Sequence, residues 1–167
     1  MLLSSCARAA SAAETRYRID APIAPARAAR VVALDAGAAE VARRVAAEEW
    51  ASARFLVCDG VAPGSGSGVL SVDDLVLREI DGTPASLDEQ LADADVVVLI
   101  ATEDAGAASA SVVGRACFER GIMTAGLVLG EGFEAEGAVV ALRPHARVLL
   151  PSADDDDVTE LLTALRA

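Results

Sequence analysis

The sequence predicts an α/β protein with three layers, in which a mostly parallel sheet carries helices on both faces. Residues 95–130 read as a strand, a tight loop, a helix and a second strand, because the unbroken apolar run VVVLI precedes the polar TEDAG and then a helical pattern. Residues 31–58 repeat the same order. Near the end of the chain an apolar stripe has helical spacing, and its members are Val158, Leu161, Leu162 and Leu165.

The first 29 residues are interpreted as an N-terminal arm, and residues 30–167 as one α/β domain. The arm lacks clear periodicity and is broken by Pro22 and Pro25, with a short edge strand expected near residues 17–19. Its arginines make it basic against an acidic body. It could fold back on its own domain or contact another subunit, and both interpretations stay open.

The other elements follow from local patterns in chain order. The first half is predicted as a strand at 31–35, a helix at 38–50, a strand at 54–58, a Gly/Ser-rich surface loop at 59–68, an extended segment at 69–77 and a helix at 86–92 with a capping box of Ser86 and Glu89. The second half is predicted as a strand at 96–100, a helix at 107–120, a strand at 122–129, an ambiguous segment at 131–142, a strand at 146–150 ended by Pro151, and a final helix whose start is marked by the acids at 154–157.

Two loops of this sheet are predicted to form a ligand site. The strands at 31–35 and 96–100 should be neighbours at the point where the strand order reverses, so the loops that follow them would face each other across one crevice. Loops at the carboxyl end of a strand and the amino end of a helix are common ligand sites. The candidate binding residues are Asp35, Ala36, Gly37, Ala38, Thr102, Glu103, Asp104, Ala105, Gly106 and Ala107.

The charge balance restricts the partners. The formal net charge of the 167-residue chain is -12, and all 14 of its basic residues are arginines. A polyanion repels nucleic acid and anionic membranes, and the absence of lysine excludes a Schiff-base lysine and a P-loop lysine. No apolar run reaches the roughly 18 residues of a membrane span. A cytoplasmic location is therefore expected.

The cysteines and the histidine predict no catalytic centre. The three cysteines, Cys6, Cys58 and Cys117, are too widely spaced for a disulfide framework or a metal pair. We expect Cys117 in the core and Cys58 beside the crevice, while His145 is expected at the surface or ahead of a strand. Glu103 and Asp104 are interpreted as solvated acids that cap the following helix, with acid–base or metal-ligand roles as the alternative. No catalytic or metal-binding residue is predicted.

The stretch ADVVVLIATEDAGAASASVVGRACFERGIMTAGLVLG resembles the tubulin/FtsZ family at the level of element order. That family has a strand, a GGGTGTG-like loop, a helix and a strand reading like TVGVV, for which this chain has the TAGLV of residues 124–128. The earlier VVALDAGAAEVARRVAAEEWASARFLVCD is similar to the family's opening turn, helix and second strand, and ARVLLPSAD is similar to the strand before its central helix. The resemblance covers roughly residues 30–166 and implies a Rossmann-like nucleotide-binding domain.

The departures from the family pattern argue against GTP chemistry. Of the glycine-rich loop only Gly106 remains, and Glu103 and Asp104 enter it. Carboxylates close to a triphosphate would oppose its binding by several kcal/mol unless a metal intervenes. The family's second domain and its later catalytic acidic loop have no counterpart in these residues. The resemblance therefore implies the fold and a nucleotide cleft, with GTP and GDP disfavoured as ligands.

Two functions are compatible with these residues. The first is a tubulin/FtsZ-like domain without competent GTPase motifs, which acts as a binding or assembly protein and forms homo-oligomers. The alternative is a Rossmann-like module or small enzyme that binds a nucleotide or dinucleotide, with Asp59 in the place of the acid that contacts ribose. The identity of a small-molecule ligand is open at this stage.

Overall fold

The computed structural model describes residues 25–62, 69–130 and 135–167, and it has a seven-stranded, mostly parallel sheet. The strand order is β4-β3-β2-β1-β5-β6-β7, in which the β2–β3 and β3–β4 pairings are antiparallel and the other four are parallel. The strands are β1 (Ala29–Ala33), β2 (Arg54–Val61), β3 (Leu75–Glu79), β4 (Pro84–Ala85), β5 (Val96–Ala101), β6 (Met123–Leu129) and β7 (Val148–Ala153).

Helices cover both faces of the sheet, as the sequence predicts, and the described residues contain five α-helices. They are α1 (Ala36–Ala46), α2 (Leu87–Leu91), α3 (Ala107–Arg120), α4 (Glu136–Leu142) and α5 (Asp155–Leu165). The apolar side chains of α1 and α5 share one core cluster with one face of the sheet, and those of α2, α3 and α4 share a second cluster with the other face. The three-layer prediction is thereby confirmed. No helix among the described residues is long and apolar enough to cross a bilayer.

The strand β5 is buried along its whole length, as an unbroken run of Val, Leu and Ile residues predicts for a central parallel strand. It pairs with β1 on one side and with β6 on the other. In the first pairing Ala33 lies opposite Ile100, so β1 and β5 end at the same edge of the sheet. The predicted reversal of strand order between them is confirmed, because the chain leaves β1 toward β2 and returns to its other side as β5.

Pro151 does not end the last strand, contrary to prediction. The strand β7 continues through it to Ala153 and, among the described strands, pairs with β6 alone. An edge strand tolerates proline because no further strand needs the missing N–H, and the register shift between Leu127 and Leu129 accommodates the break in the ladder.

The prediction of a capping box at Ser86 is also wrong, since the Ser86 side chain makes no capping bond. The acidic start of α5 does form one, in which Asp154 and Asp157 bond each other's backbone N–H groups.

Some predictions lie outside the described residues. These are the strand near residues 17–19 and most of the predicted loop at 59–68. The described part of that loop begins as strand, because β2 extends to Val61 and pairs there with Leu75 of β3. The ambiguous segment at 131–142 contains α4, and the extended segment at 69–77 contains a short 3-10 turn followed by the start of β3.

Candidate functional site

The candidate site is organised by Asp35, which links the two predicted loops. Asp35 follows β1 and is the N-cap of α1, with extended backbone angles of φ -149 and ψ 177. Its Oδ1 accepts a hydrogen bond from the Ala38 N–H at 2.8 Å. This bond satisfies one of the unpaired N–H groups of the first helical turn, which is the usual reason for aspartate at this position. The helix therefore begins at Ala36, two residues before the predicted start at residue 38.

The same carboxylate also accepts three hydrogen bonds from the loop after β5. The Thr102 N–H donates to Oδ2 at 2.7 Å, and the Thr102 hydroxyl donates to Oδ1 at 2.5 Å. The Glu103 N–H donates to Oδ2 at 3.2 Å. Asp35 is only 7% exposed. Backbone N–H groups that converge at a strand end and a helix start form the type of cradle that binds phosphate in other α/β proteins. Here a carboxylate of the chain itself occupies that cradle.

Two glycines allow the loops to come this close. A Cβ atom added to Gly106 would lie 2.6 Å from Leu34 Cβ and 2.7 Å from the Leu34 carbonyl oxygen. A Cβ atom added to Gly37 would collide with the Thr102 hydroxyl. Both glycines have ordinary helical or bridging geometry, so steric space and not backbone freedom requires glycine. They bring the two loops together around Asp35.

Glu103 and Asp104 differ from their predicted role, because neither caps α3. The residue at the N-cap of α3 is Gly106. Asp104 turns away toward α4 and accepts a hydrogen bond from the Ala138 N–H at 3.1 Å. Glu103 precedes the 3-10 turn Asp104–Gly106 and makes no capping bond with its side chain. The carboxylate that fills the expected phosphate position is therefore that of Asp35.

The ten predicted site residues divide into three groups. Those that line an open cleft are Asp35, Ala36, Glu103 and Ala105. Those packed between the loops are Gly37, Ala38, Thr102 and Gly106. Asp104 faces α4, and Ala107 is the half-buried first residue of α3.

The cleft has a volume of about 450 Å³ and lies beside the ends of β1, β2 and β5. Its other walls include Glu40 and Arg43 from α1 and Asp59 at the end of β2. Sequence reasoning did not identify Glu40 and Arg43 as cleft residues. Their spacing of three residues on the outer face of α1 places both side chains on one side of the helix, but it does not show which loop that side meets.

The cleft is acidic. Its described lining contains four carboxylates, from Asp35, Glu40, Asp59 and Glu103, and one guanidinium, from Arg43. The Asp59 carboxylate is 2.6 Å from the Arg78 guanidinium, and both side chains are exposed. Like charges disfavour a phosphate here, whereas a neutral hydroxylated molecule or a cation could bind without that repulsion. No group of three or more potential metal ligands occurs among the described residues.

Comparisons with known proteins add no family assignment. No family model matches the sequence, and no curated protein is significantly similar to it. The tubulin/FtsZ resemblance therefore stays a prediction.

The two described cysteines are buried, and neither has the environment of a nucleophile. Cys58 lies at the cleft wall, and its sulfur is 3.8 Å from the Gly60 carbonyl oxygen. Cys117 is in the core, as predicted. Burial raises the pKa of the Cys117 thiol to about 11, with the Thr124 side chain and the Arg120 charge acting in the opposite direction. Reactive thiols require the opposite shift.

We expect Cys117 to make the stability of the protein fall at alkaline pH. The ordinary pKa of the thiol is 9.0, so the unfolded chain releases this proton between pH 9 and 11 while the folded chain retains it. In that window, titration of the Cys117 thiol lowers the free energy of unfolding by up to about 1.4 kcal/mol per pH unit. Urea unfolding of the wild type and Cys117→Ala across this window measures the effect. Parallel pH profiles of the two proteins would contradict it.

Proposed function

We propose that this chain is a Rossmann-like, tubulin/FtsZ-like domain that has no competent nucleotide-phosphate site and works by binding and assembly. The observation that carries the proposal is the Asp35 carboxylate, which accepts hydrogen bonds from the Ala38, Thr102 and Glu103 N–H groups and from the Thr102 hydroxyl. A phosphate would have to displace a carboxylate that is covalently tethered and already buried. The loss of those four hydrogen bonds would oppose its binding.

Charge supports the same conclusion. Glu40, Asp59 and Glu103 line the rest of the cleft, so a triphosphate would approach a negative surface with Arg43 as the only opposing charge in the described lining. Assembly is supported by large apolar side chains that are exposed on the described surface, namely Val140, Val148 and Leu150. Side chains of this kind commonly become buried when a second subunit binds. We therefore propose that the chain associates with further copies of itself into homo-oligomers.

A second candidate is a module that binds a nucleoside or a nucleoside-derived cation in the cleft. Asp59 favours it, because a carboxylate at the end of the second strand can accept hydrogen bonds from ribose hydroxyls in Rossmann-like folds. A neutral adenosine or a cationic S-adenosylmethionine would avoid the repulsion that a nucleotide meets. This candidate shares the fold and the cleft with the first and differs in the ligand.

One ligand series tests both functions. We expect GTP and GDP with magnesium to bind with a Kd no tighter than about 1 mM in calorimetric titrations and to undergo no turnover. Light scattering is expected to give a mass above that of one chain. Micromolar GTP binding with magnesium-dependent hydrolysis would disprove the main proposal. Adenosine and S-adenosylmethionine are titrated in the same way. Saturable binding of either one, without any binding of ATP or NAD, would favour the second candidate.

A further inference from the structure

A second cavity lies at the opposite edge of the sheet from the acidic cleft. It has a volume of about 440 Å³ and is formed where α3 ends, β6 begins and the chain enters β7. Its lining comes from Phe118 and residues 121–124 on one side and from residues 144–147 on the other. This size is within the range of sites for small organic molecules.

The charge of this cavity is opposite to that of the protein. The chain has 26 acidic residues, yet none of the described residues that line the cavity is acidic. Arg147 lines it, and the Arg147 guanidinium has no hydrogen-bond or ion-pair partner among the described residues. Four other arginines, Arg30, Arg44, Arg78 and Arg120, do form ion pairs. An unpaired cation in an acidic protein is therefore available to an anion.

A hydrogen bond to β6 holds the backbone of Arg147 in place. The Arg147 N–H donates to the Thr124 carbonyl oxygen at 2.8 Å, which ties the start of β7 to β6. Two of the last carbonyl oxygens of α3 are occupied, since those of Cys117 and Phe118 accept the N–H groups of Ile122 and Gly121. These bonds reduce the partial negative charge that the helix end would present to an anion at Arg147.

Two aromatic side chains, Phe118 and His145, line the cavity together with Arg147. Phe118 is 72% exposed, and its ring centroid is 6.5 Å from that of His145 with an angle of 56° between the planes. The His145 ring is held against α3 at Gly114, where a Cβ atom would lie 2.7 Å from His145 Cδ2. The imidazole has no side-chain hydrogen bond among the described residues and faces the cavity. Exposed aromatic rings beside a cation are typical of binding surfaces.

We propose that this cavity binds a small organic carboxylate with an aromatic or apolar body. The carboxylate would pair with Arg147, which offers two parallel N–H donors, and the body would pack on Phe118, Ile122 and Met123. His145 would supply an additional polar contact. The site is separate from the acidic cleft, so it does not depend on the function proposed there.

Titration of the full chain with 3-phenylpropanoate, followed by backbone and side-chain NMR shifts, tests this site. We expect saturable shifts at residues 118–124 and 144–147, with a Kd in the millimolar range or tighter. The uncharged 3-phenylpropanamide has nearly the same shape and should bind at least about tenfold more weakly. Arg147→Gln should weaken binding of the acid by at least about tenfold, and Phe118→Ala by at least about threefold.

Arg143→Gln is the matched control, because Arg143 is exposed in the same connection but does not line the cavity. Its effect on the Kd should be below about twofold, since an exposed charge outside the site is screened. The proposal is overturned if the acid gives no saturable shifts, if the shifts map elsewhere, or if the acid and the amide bind equally. Equal affinity of Arg147→Gln and the wild type would also overturn it, and the spectra show whether each variant is folded.

Discussion

Replacing Asp35 by alanine is expected to destabilise the domain by about 3 kcal/mol or more. The substitution removes the acceptor of four hydrogen bonds, leaves three backbone N–H groups without a partner and deletes the N-cap of α1. Each unsatisfied buried donor costs about 1–3 kcal/mol, and the loss of an N-cap about 1 kcal/mol. Solvent that enters the opened site would recover part of this. Urea unfolding followed by circular dichroism gives the free energy of unfolding.

The matched control for this variant is Asp59→Ala. Asp59 lines the same cleft, but its side chain is exposed and its contact is a surface ion pair with Arg78. Its removal should cost below about 1 kcal/mol. If both variants lose the same stability, the carboxylate of Asp35 is not the link between the loops.

The Asp35→Ala variant also tests whether the carboxylate replaces a ligand anion. Once it is removed, the N–H groups of Ala38, Thr102 and Glu103 are free to receive sulfate or phosphate. We expect sulfate to raise the Tm of Asp35→Ala by several degrees more than that of the wild type, after correction with chloride at equal ionic strength. Equal responses of the two proteins would show that the cradle does not accept an external anion.

Replacing Gly106 by alanine is expected to cost about 2–3 kcal/mol. The added methyl group would lie 2.6 Å from Leu34 Cβ and 2.7 Å from the Leu34 carbonyl oxygen. Leu34 cannot move away easily, because its N–H donates to the Ile100 carbonyl oxygen at 2.9 Å within the paired ends of β1 and β5. Overpacking against fixed backbone costs about 1–3 kcal/mol. Thermal and urea unfolding would measure the loss.

Gly114→Ala provides the comparison for this variant. It makes the same change in α3, where the new methyl group would lie 2.7 Å from His145 Cδ2 and 2.9 Å from His145 Cβ. Rotation of the side chain does not move Cβ, so the segment that carries His145 has to shift. Alanine favours the helix by about 1 kcal/mol over glycine and offsets part of this cost, so Gly114→Ala should lose about 1 kcal/mol less than Gly106→Ala. A smaller loss for Gly106→Ala than for Gly114→Ala would contradict the argument from close packing of the loops.

Most of the strands and helices could be predicted because their signals are local, whereas the two-residue strand β4 was not predicted. The run of residues 96–100 can be buried on both faces only in the middle of a parallel sheet, and the observed β5 is completely buried. The helix α3 begins and ends where its polar start and Gly121 indicate. Gly121 has a φ of 69 and closes the helix in the left-handed conformation that glycine adopts readily.

The site could be located but its chemistry could not be predicted from sequence. The approach of the loops after β1 and β5 follows from the strand order, which the βαβ pattern indicates. The sequence places Glu103 and Asp104 in the loop expected to hold phosphate, and it gives Asp35 only as a candidate binding residue of the opposite loop. Which of them turns inward depends on hydrogen bonds across 67 residues of chain, as between Asp35 and Thr102. No local pattern encodes such a bond.

By itself the sequence determined the α/β class, the three layers and the edge of the sheet at which the two loops meet. These features follow from the hydrophobic periodicity of short stretches of chain and from the order of the strands and helices. Only the tertiary structure decided that Asp35 fills the cradle, that Asp104 caps α4, and that Arg147 and Phe118 share a cavity without carboxylates. These relations depend on the distances between side chains from separate elements. Those distances are set by packing across the whole sheet.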